Sequence, residues 1–508
     1  MTMQTDVRDV LDRIKTAQQK PLGDPRFKSL TGLEKAGTFS ENASATSGLT
    51  FYDLELGAKF LYPVLTPLRN MIPRVSGKGG VQAAWRAITA INTNGLRFGV
   101  SAANRGGVMA VTTKDYTANY KGIGVETSVD FEAQYAGQEF DDVRAVGAKT
   151  GLEALMLGEE AMILGGNSSM TLGTTPTPTV ANLATGGTLA AQTWSVICAA
   201  LTLDGIMNGS VTAIGGVQGS ITRPNADGSS DTFGGGVAKQ STTATVTTTG
   251  ATSSITASVT PVSGALGYAW FWGAAGSEVL GAITTINSVV ITATASGTQT
   301  AASLGTSDNS TNALAFDGLI YQARVPGSGA YVSTMPTGSA GIGTPLTSDS
   351  AGGIVEIDVA LKSMWDNYRL SPDTMWVNSQ EALNISRKIL SGSQSAAQRF
   401  VFESSQDLVG GGIMVRTYLN RFSMQGGSVI DIKVHPNMPA GTILMTTRML
   451  PYPLAGVGNV VQIRTRQDYY QIEWPLRTRK YEYGVYADEV LQNYFPPSLA
   501  LITNIGNG

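Results

Sequence analysis

Val129-Asp130-Phe131-Glu132-Ala133-Gln134 closes a strand-like run, and from Gln138 to Leu164 the chain changes period. Phe140, Val143, Val146, Thr150, Ala154, Met162 and Ile163 keep near-helical spacing. Glu139, Asp141 and Asp142 sit in the expected first turn, where negative charge meets the positive helix end. Gly165-Gly166 supplies the stop. A helix of about 27 residues at ~1.5 Å each is a rod of roughly 40 Å. Gly147, Gly151 and Gly158 lie inside it and weaken it by propensity.

Upstream of this rod the pattern is extended. Gln82 to Ile91, with Trp85 and Ile88, reads as one strand, and Tyr116 to Val129 as a second. Between them lies a polar tip containing Asn94-Gly95 and Asn104-Arg105-Gly106-Gly107. The pair predicts a long hairpin, and a lone two-stranded hairpin is marginal in water, so it should rest on something else. The first ~50 residues read as an arm. Val7, Val10, Leu11 and Ile14 mark an amphipathic helix, and the rest is polar with too little apolar surface to fold alone.

Downstream, the composition shifts. From Thr185 to Ser310 the charged residues are Asp204, Arg223, Asp227, Asp231, Lys239, Glu278 and Asp308, in a background of Gly, Ala, Ser, Thr and Val. Short alternating runs recur between turn residues: Ala244-Thr245-Val246, Ile255 to Val259, Tyr268 to Trp272 and Ala282 to Ile291. This predicts a β-sandwich. Ser241 to Thr249 could be linker, but β-branched Thr and Val favour a strand. The last third is mixed α/β. Ile354, Ile357, Leu361, Met364, Trp365 and Tyr368 form a helical stripe ended by Pro372. Thr374 to Val377 is a strand, and Ser379 can cap a helix to Leu390 with Ala382, Leu383, Ile389 and Leu390 inward. Further strands are expected at Ile413–Tyr418, Val429–Val434, Thr442–Thr447, Val460–Thr465 and Tyr481–Tyr486.

The bulk numbers narrow the function. Of 508 residues, 42% are hydrophobic, enough for a sizeable core, and only 14% are charged, against roughly 25% in an ordinary domain. Low charge suits surfaces that end up buried against copies of the chain. A net charge of −3 gives no basic field for gripping nucleic acid, though a wall need not grip its contents. One cysteine, Cys198, forbids an intrachain disulfide. The start of the chain carries charges where a signal peptide needs an apolar run, and no apolar stretch is long enough to span a membrane. The longest tempting run, Val196 to Met207, is broken by Asp204. A cytoplasmic place of synthesis is expected.

No catalytic, cofactor or metal site is expected. A triad would have to use the single histidine, His435, which sits at a strand end before a turn at Pro436-Asn437 and reads as a surface or turn residue. Cys/His metal clusters are excluded by count. Ser76-Gly77-Lys78-Gly79-Gly80 lacks the first Gly and the Ser/Thr of a phosphate loop. Gly234–Gly236 and Gly410–Gly412 read as turns, and Asn-x-Ser/Thr sites such as Asn42 and Asn167 mean little without secretion. Asp141-Asp142 and Glu159-Glu160 read as solvated helix surface, because adjacent helix residues do not face each other. Arg464, Arg466, Arg477, Arg479 and Lys480 interleave with Tyr469, Tyr470, Trp474 and Tyr481. That cluster fits a nucleic-acid surface or ion pairing between subunits.

The order of arm, hairpin, long helix, α/β core and late strands resembles the major capsid proteins of tailed bacteriophages (the Hong Kong ninety-seven type). Four stretches carry the resemblance: Val129 to Gln134 leading into the long helix, Trp376 to Leu383, His435 to Leu444, and Trp474-Pro475 through Tyr486 with Leu499 to Ile505. It spans most of the chain outside 185–310, and that segment resembles bacterial immunoglobulin-like domains. The resemblance implies an α+β fold: an arm over 1–50, an extended loop and peripheral domain with a spine helix over 51–184, an immunoglobulin-like insertion over 185–310, an axial domain over 311–450, and strands returning to the peripheral domain over 451–508. It implies no enzyme, but hexamers and pentamers closing an icosahedral shell around double-stranded DNA, made in a bacterial cytoplasm and ending in a virion. A separate scaffolding protein and a portal are implied partners, and the insert is expected on the outer surface with glycan contact as its role. The family's type member cross-links a loop lysine to an asparagine beside a glutamate. Lys78, Lys114 and Lys121 are loop lysines here, but no asparagine or glutamate matches by motif. The competing readings are an encapsulin-type compartment, a carbohydrate-active enzyme with an appended module, which would need a carboxylate pair in a cleft, and a tail-tube or fibre protein.

Overall fold

The computed structural model describes residues 61–91, 102–103, 110–137, 141–212, 215–391, 415–424, 426–476 and 478–507. The arm and its helix at Val7–Ile14, the tip residues Asn94, Gly95 and Asn104–Gly107, and Gly410–Gly412 lie outside the described residues.

The chain enters through a short helix, α1 (Pro67–Met71), and a three-residue strand, β1 (Arg74–Ser76). Strands β2 (Gln82–Ile91) and β3 (Val111–Asn119) pair antiparallel from Gln82↔Asn119 to Ile91↔Val111, with a bulge between Ile88 and Ala90. The second strand of the expected hairpin is split. β3 stops at Asn119, Tyr120 N donates to Val81 O at 3.2 Å, and β4 (Lys121–Asp130) joins a different sheet. Gly124 makes the switch possible: a Cβ there would collide with the Tyr486 ring of the next strand.

Two helices follow, α2 (Phe131–Gly137) and α3 (Val143–Gly165). The long helix begins later than its apolar period predicts because Asp142 caps it, accepting from Arg144 N at 3.1 Å and Ala145 N at 3.2 Å. Its glycines do not break it. At Gly147 a Cβ would strike the Tyr483 hydroxyl, so the glycine lets α3 lie close on the sheet beneath. That sheet has the order β1-β19-β20-β4, with β19 (Val461–Glu473) and β20 (Lys480–Asn493) as its long central pair.

The low-charge segment folds as two facing sheets. One is β13-β10-β5, from β5 (Thr179–Leu183), β10 (Ser254–Ser258) and β13 (Ser288–Ile291). The other is β12-β11-β6-β9, from β6 (Thr193–Leu201), β9 (Ala244–Thr247), β11 (Gly267–Gly273) and β12 (Val279–Thr284). A hairpin of β7 (Ser220–Pro224) and β8 (Ser230–Gly234) stands apart. The first strand starts at Thr179, ahead of the composition shift, and strand β9 lies inside the Thr-rich stretch. With the β7–β8 hairpin set aside and the other strands lettered in chain order, the sheets run G-D-A and F-E-B-C. An immunoglobulin constant domain runs A-B-E-D and C-F-G, so the strand order differs.

The four-stranded sheet is covered on both faces. Trp194, Val196, Cys198, Ala200, Trp270 and Trp272 meet Ile255, Val289 and Ile291 of the other sheet. Ile197, Ala199, Leu201 and Phe271 instead join the central core with Leu203, Ile163 and Leu319 to Tyr321. A sheet buried on both faces reads as a continuous apolar run, which is why Val196 onward looked like a hydrophobic segment. It continues into α4 (Leu203–Met207), capped by Thr202.

The last third forms a six-stranded sheet, β14-β21-β18-β15-β17-β16. Its strands are β14 (Tyr331–Thr334), β15 (Thr374–Val377), β16 (Thr417–Asn420), β17 (Ser428–Val434), β18 (Ile443–Thr446) and β21 (Leu499–Thr503). One face packs on α6 (Val355–Tyr368) and α7 (Ser379–Ser391) through Ile357, Leu361, Met364, Ile385 and Ile389. The other face sends Trp376, Leu444, Leu499 and Leu501 into the central core beneath α5 (Leu319–Arg324). Two local expectations change. Asn378, one residue before Ser379, accepts from Gln380 N at 3.0 Å, and Leu383 points outward while Ile385 takes the inward place. Of the late strands, β19 and β20 join the sheet under α3, but β21 returns to the six-stranded sheet. The fold is α+β, with the long helix on one sheet, two helices on another, and the sandwich between their chain segments.

Candidate assembly surface and the buried acid cluster at its base

The β2–β3 ribbon is the part of the described chain with least cover. Almost every residue of both strands is exposed or half-exposed. Its apolar side chains are open, with Ile88 at 68% and Ile91 at 51% accessible, and Val111 beside them. Trp85 stacks on Tyr116 at 5.7 Å across the pair and meets Tyr494 edge-on at 5.8 Å, which fixes the ribbon's inner end. Arg86 pairs with Asp115 at 2.5 Å on the exposed face. Exposed ion pairs of this kind add little stability. Among the described residues, the outer part of the ribbon therefore leaves Ile88, Ile91 and Val111 uncovered, while Ala83 at its inner end joins the central core.

Beneath its entry, α1 and β1 are fastened by side chains that the sequence placed elsewhere. Glu159 and Glu160, expected on a solvated face, have no accessible surface. They diverge, as adjacent helix residues must, and each finds its own donors. Glu160 Oε1 accepts from Leu68 N at 2.8 Å, and Oε2 from Arg69 N at 2.7 Å, so it satisfies the first turn of α1. His435 opens the expected turn after β17 but is buried, not on the surface: Nε2 lies 2.6 Å from Glu160 Oε1, while Nδ1 accepts from Asn437 N at 3.1 Å. That places the ring proton on Nε2, toward the carboxylate. Glu159 accepts from Arg69 Nε at 3.2 Å, from Arg74 Nη1 and from the Tyr469 hydroxyl. Arg74 also reaches Asp468 and Glu489, each at 2.7 Å from Nη2, and lies 4.3 Å from the Tyr469 ring centre.

Glu489 is the exception within this cluster. It is fully buried, its Oε2 meets Arg74, and among the described residues its Oε1 has no partner. Burial, reinforced by the neighbouring Glu159 charge and opposed by Arg74, pushes its carboxyl up to about 8. Four carboxyls, two guanidiniums, an imidazole and a phenol thus join α1, β1, α3, β19, β20 and the turn after β17. Three of the four carboxyls have no accessible surface, and their bonds fasten α1 and β1 to α3 and β20. The only sequence signal was the Glu159-Glu160 pair itself. Arg74, Tyr469 and Glu489 are too far apart in the chain to suggest it.

The remaining candidates separate. Lys78 is exposed, Lys114 lies 5.0 Å from the Tyr116 ring, and Lys121 donates to Ala313 O at 2.6 Å. Ser76–Gly80 runs into a strand, not a helix, so it has no phosphate cradle. Asn167 is buried and donates to Ser310 O at 2.9 Å, clamping the two chain passes that enter and leave the sandwich. Three of the basic cluster pair within the chain, Arg466 with Asp488 at 2.7 Å, Lys480 with Asp130 at 3.4 Å and Arg479 with Glu132 at 3.4 Å, while Arg464 Nε is buried with no hydrogen-bond partner among the described residues. Arg477 and Asn42 lie outside the described residues. Among the described residues no group of three or more His, Cys, Asp or Glu is placed to hold a metal, and no helix is long and apolar enough to cross a membrane.

No protein-family model matches this chain, and no curated protein matches it. Solved structures do. The capsid asymmetric unit of cyanophage A-1(L) is 9% identical over 89% of this chain and 97% of that chain, with a TM-score of 0.42. The capsid of the native GTA particle is 10% identical over 92% of this chain and 100% of that chain, with a TM-score of 0.41. The holo-SrpI encapsulin complex from Synechococcus elongatus PCC 7942 is 8% identical over 96% and 97%, with a TM-score of 0.37. At TM-scores below 0.5 these are likenesses of overall layout and no more.

Proposed function

We propose that this chain is the major capsid protein of a tailed bacteriophage, a structural subunit and not an enzyme. It would assemble as hexamers and pentamers into an icosahedral shell around double-stranded DNA, in a bacterial cytoplasm, and end in the virion. The observation that carries the reading is the β2–β3 ribbon. Two strands of ten and nine residues leave Ile88, Ile91 and Val111 in solvent beyond the packed end at Ala83 and Trp85. A two-stranded ribbon is marginal alone, so its natural state is one laid on another copy. The low charge of the chain fits the same burial. A separate scaffolding protein and a portal complete the proposal.

The sandwich belongs in this proposal as an inserted immunoglobulin-like module that has become part of the wall. Its four-stranded sheet covers the central core, and Asn287 N donates to Asn504 Oδ1 of the six-stranded sheet's last strand end at 2.9 Å. Its outward sheet and the β7–β8 hairpin are left for outer-surface contacts, with glycans as the proposed ligand class.

Electron microscopy of the chain expressed with and without its neighbouring viral genes tests this. Closed icosahedral shells are expected, empty or holding DNA. A discrete monomer or dimer under all conditions overturns the reading, rods replace it with a tail protein, and shells holding a cargo enzyme replace it with an encapsulin-type compartment.

A further inference from the structure

We infer that Glu489, Arg74 and Glu159 form a proton-linked latch: the folded chain holds one carboxyl of this cluster neutral, and its ionisation loosens α1 and β1, at the entry to the ribbon, from α3. The inference stands on the chain alone, whatever the chain assembles into.

The donor count points to it. Glu160 receives Leu68 N, Arg69 N and His435 Nε2, and Glu159 receives Arg69, Arg74 and Tyr469. Both are supplied on both oxygens, as buried carboxylates need. Glu489 receives one donor on one oxygen, and its other oxygen is buried without any. The charge count agrees. If Glu159, Glu160, Glu489 and Asp468 are all ionised, they outnumber Arg69 and Arg74 by two, and three of the four have no accessible surface. Uncompensated buried charge is removed by protonation.

Among the described residues, no other group that faces Glu489 offsets this. From α3 comes Glu159, from β1 Arg74, and from β19 Asp468 and Tyr469. From β4 the register places Lys121 opposite Glu489, but its ammonium turns away to Ala313 O. Arg69, Glu160 and His435 form the next layer through Glu159 and α1. The proton therefore belongs on Glu489, the buried carboxyl of the cluster with the fewest donors.

The sign follows from the raised carboxyl. Where the latch is open the carboxyl ionises near its usual 4.5, and where it is closed it stays neutral to about 8. The closed state holds the extra proton between those values, so its stability falls as pH rises through that window, about tenfold in the opening equilibrium per pH unit for one proton. Above about pH 8 the loss is complete.

Amide hydrogen exchange on the full-length chain, corrected for intrinsic base catalysis, tests this at Leu68 and Arg69. Wild type should lose protection by up to tenfold per pH unit between about pH 5 and 8, and Glu489→Gln should hold it level. In the wild-type-minus-Gln difference spectrum a protonated-carboxyl infrared band should be present at pH 7 and lost above about pH 8, with other buried acids such as Glu381, pushed up to about 7, cancelling in the difference. A wild-type profile flat across the window, or an equal slope in Glu489→Gln, overturns the latch. If the Gln variant does not fold, the wild-type profile decides alone.

Discussion

Glu160→Ala is the substitution that asks most of the cluster. It removes a side chain with no accessible surface and three donors on it: Leu68 N at 2.8 Å, Arg69 N at 2.7 Å and His435 Nε2 at 2.6 Å. The two amides lie in the first turn of α1, where no helical carbonyl can take them. Each buried donor left unsatisfied costs about 1–3 kcal/mol. Leu68 and His435 are fully buried and Arg69 half-buried. The expected loss is therefore about 3–6 kcal/mol, falling toward ~2 if a water fills the space and bonds all three. Glu160→Gln keeps one acceptor but turns an amine toward a donor, so about half the loss is expected. The assay is native-state hydrogen exchange, which reads the opening free energy at Leu68 and Arg69 without requiring the whole chain to unfold in one step. A loss below ~1 kcal/mol at Leu68 in the Ala variant, with Ile163 and Leu164 protected as before, would show that α1 is held by apolar packing and not by Glu160.

Ile88→Asp should leave the unassembled chain within about 0.5 kcal/mol of wild type, because the side chain is mostly in solvent. Sedimentation of assembly mixtures should nevertheless show fewer shells, and normal yield would remove the ribbon from the interface. Asn504→Ala should cost about 2–4 kcal/mol: Asn504 bonds Asn287 twice and Met335 O at 2.7 Å, from a backbone φ of 62° that asparagine tolerates better than alanine. Limited proteolysis should then cut where the sandwich meets the six-stranded sheet, and a wild-type digestion rate would refute the role of this contact. Cys198 is buried and its thiol is pushed well up by desolvation. It should stay unlabelled by maleimide until the sandwich unfolds, and rapid native labelling would mean that the two sheets part in solution.

What the sequence made legible was what short-range pattern controls. The helix around Val143–Leu164, the strands at Gln82–Ile91 and Thr374–Val377 and the sandwich runs were readable because period and turn residues act within one element. The split at Tyr120 was not, because both halves alternate alike and only the partner strand distinguishes them. The burial of Glu159, Glu160 and His435 was hidden for a related reason. A charged pair on a helix defaults to solvent, and what overrides that is Arg74, some 85 residues from Glu159 in sequence, and Tyr469, 310 residues away. The basic residues of β19 and β20 misled in the opposite direction. They pair across strands within the chain, a register effect no composition shows.

The ribbon and the cluster explain each other. A projecting ribbon can serve assembly only if its direction is fixed before a partner arrives, yet its own faces bury almost nothing. Its exit is set by β4, locked into a sheet through ten residue pairs with β20. Its entry has only a five-residue helix and a three-residue strand, which add just Leu68, Met71 and Ile72 to the central core. Apolar packing there could be as stabilising as the ion pairs, or more so, but it would tolerate sliding and rotation. Charge-assisted bonds from Glu159 and Glu160 to the backbone of α1 and to both arginines have fixed lengths and directions. The buried acids thus set where the ribbon points, and a lever that depends on so few polar bonds is also one whose direction a single proton can change.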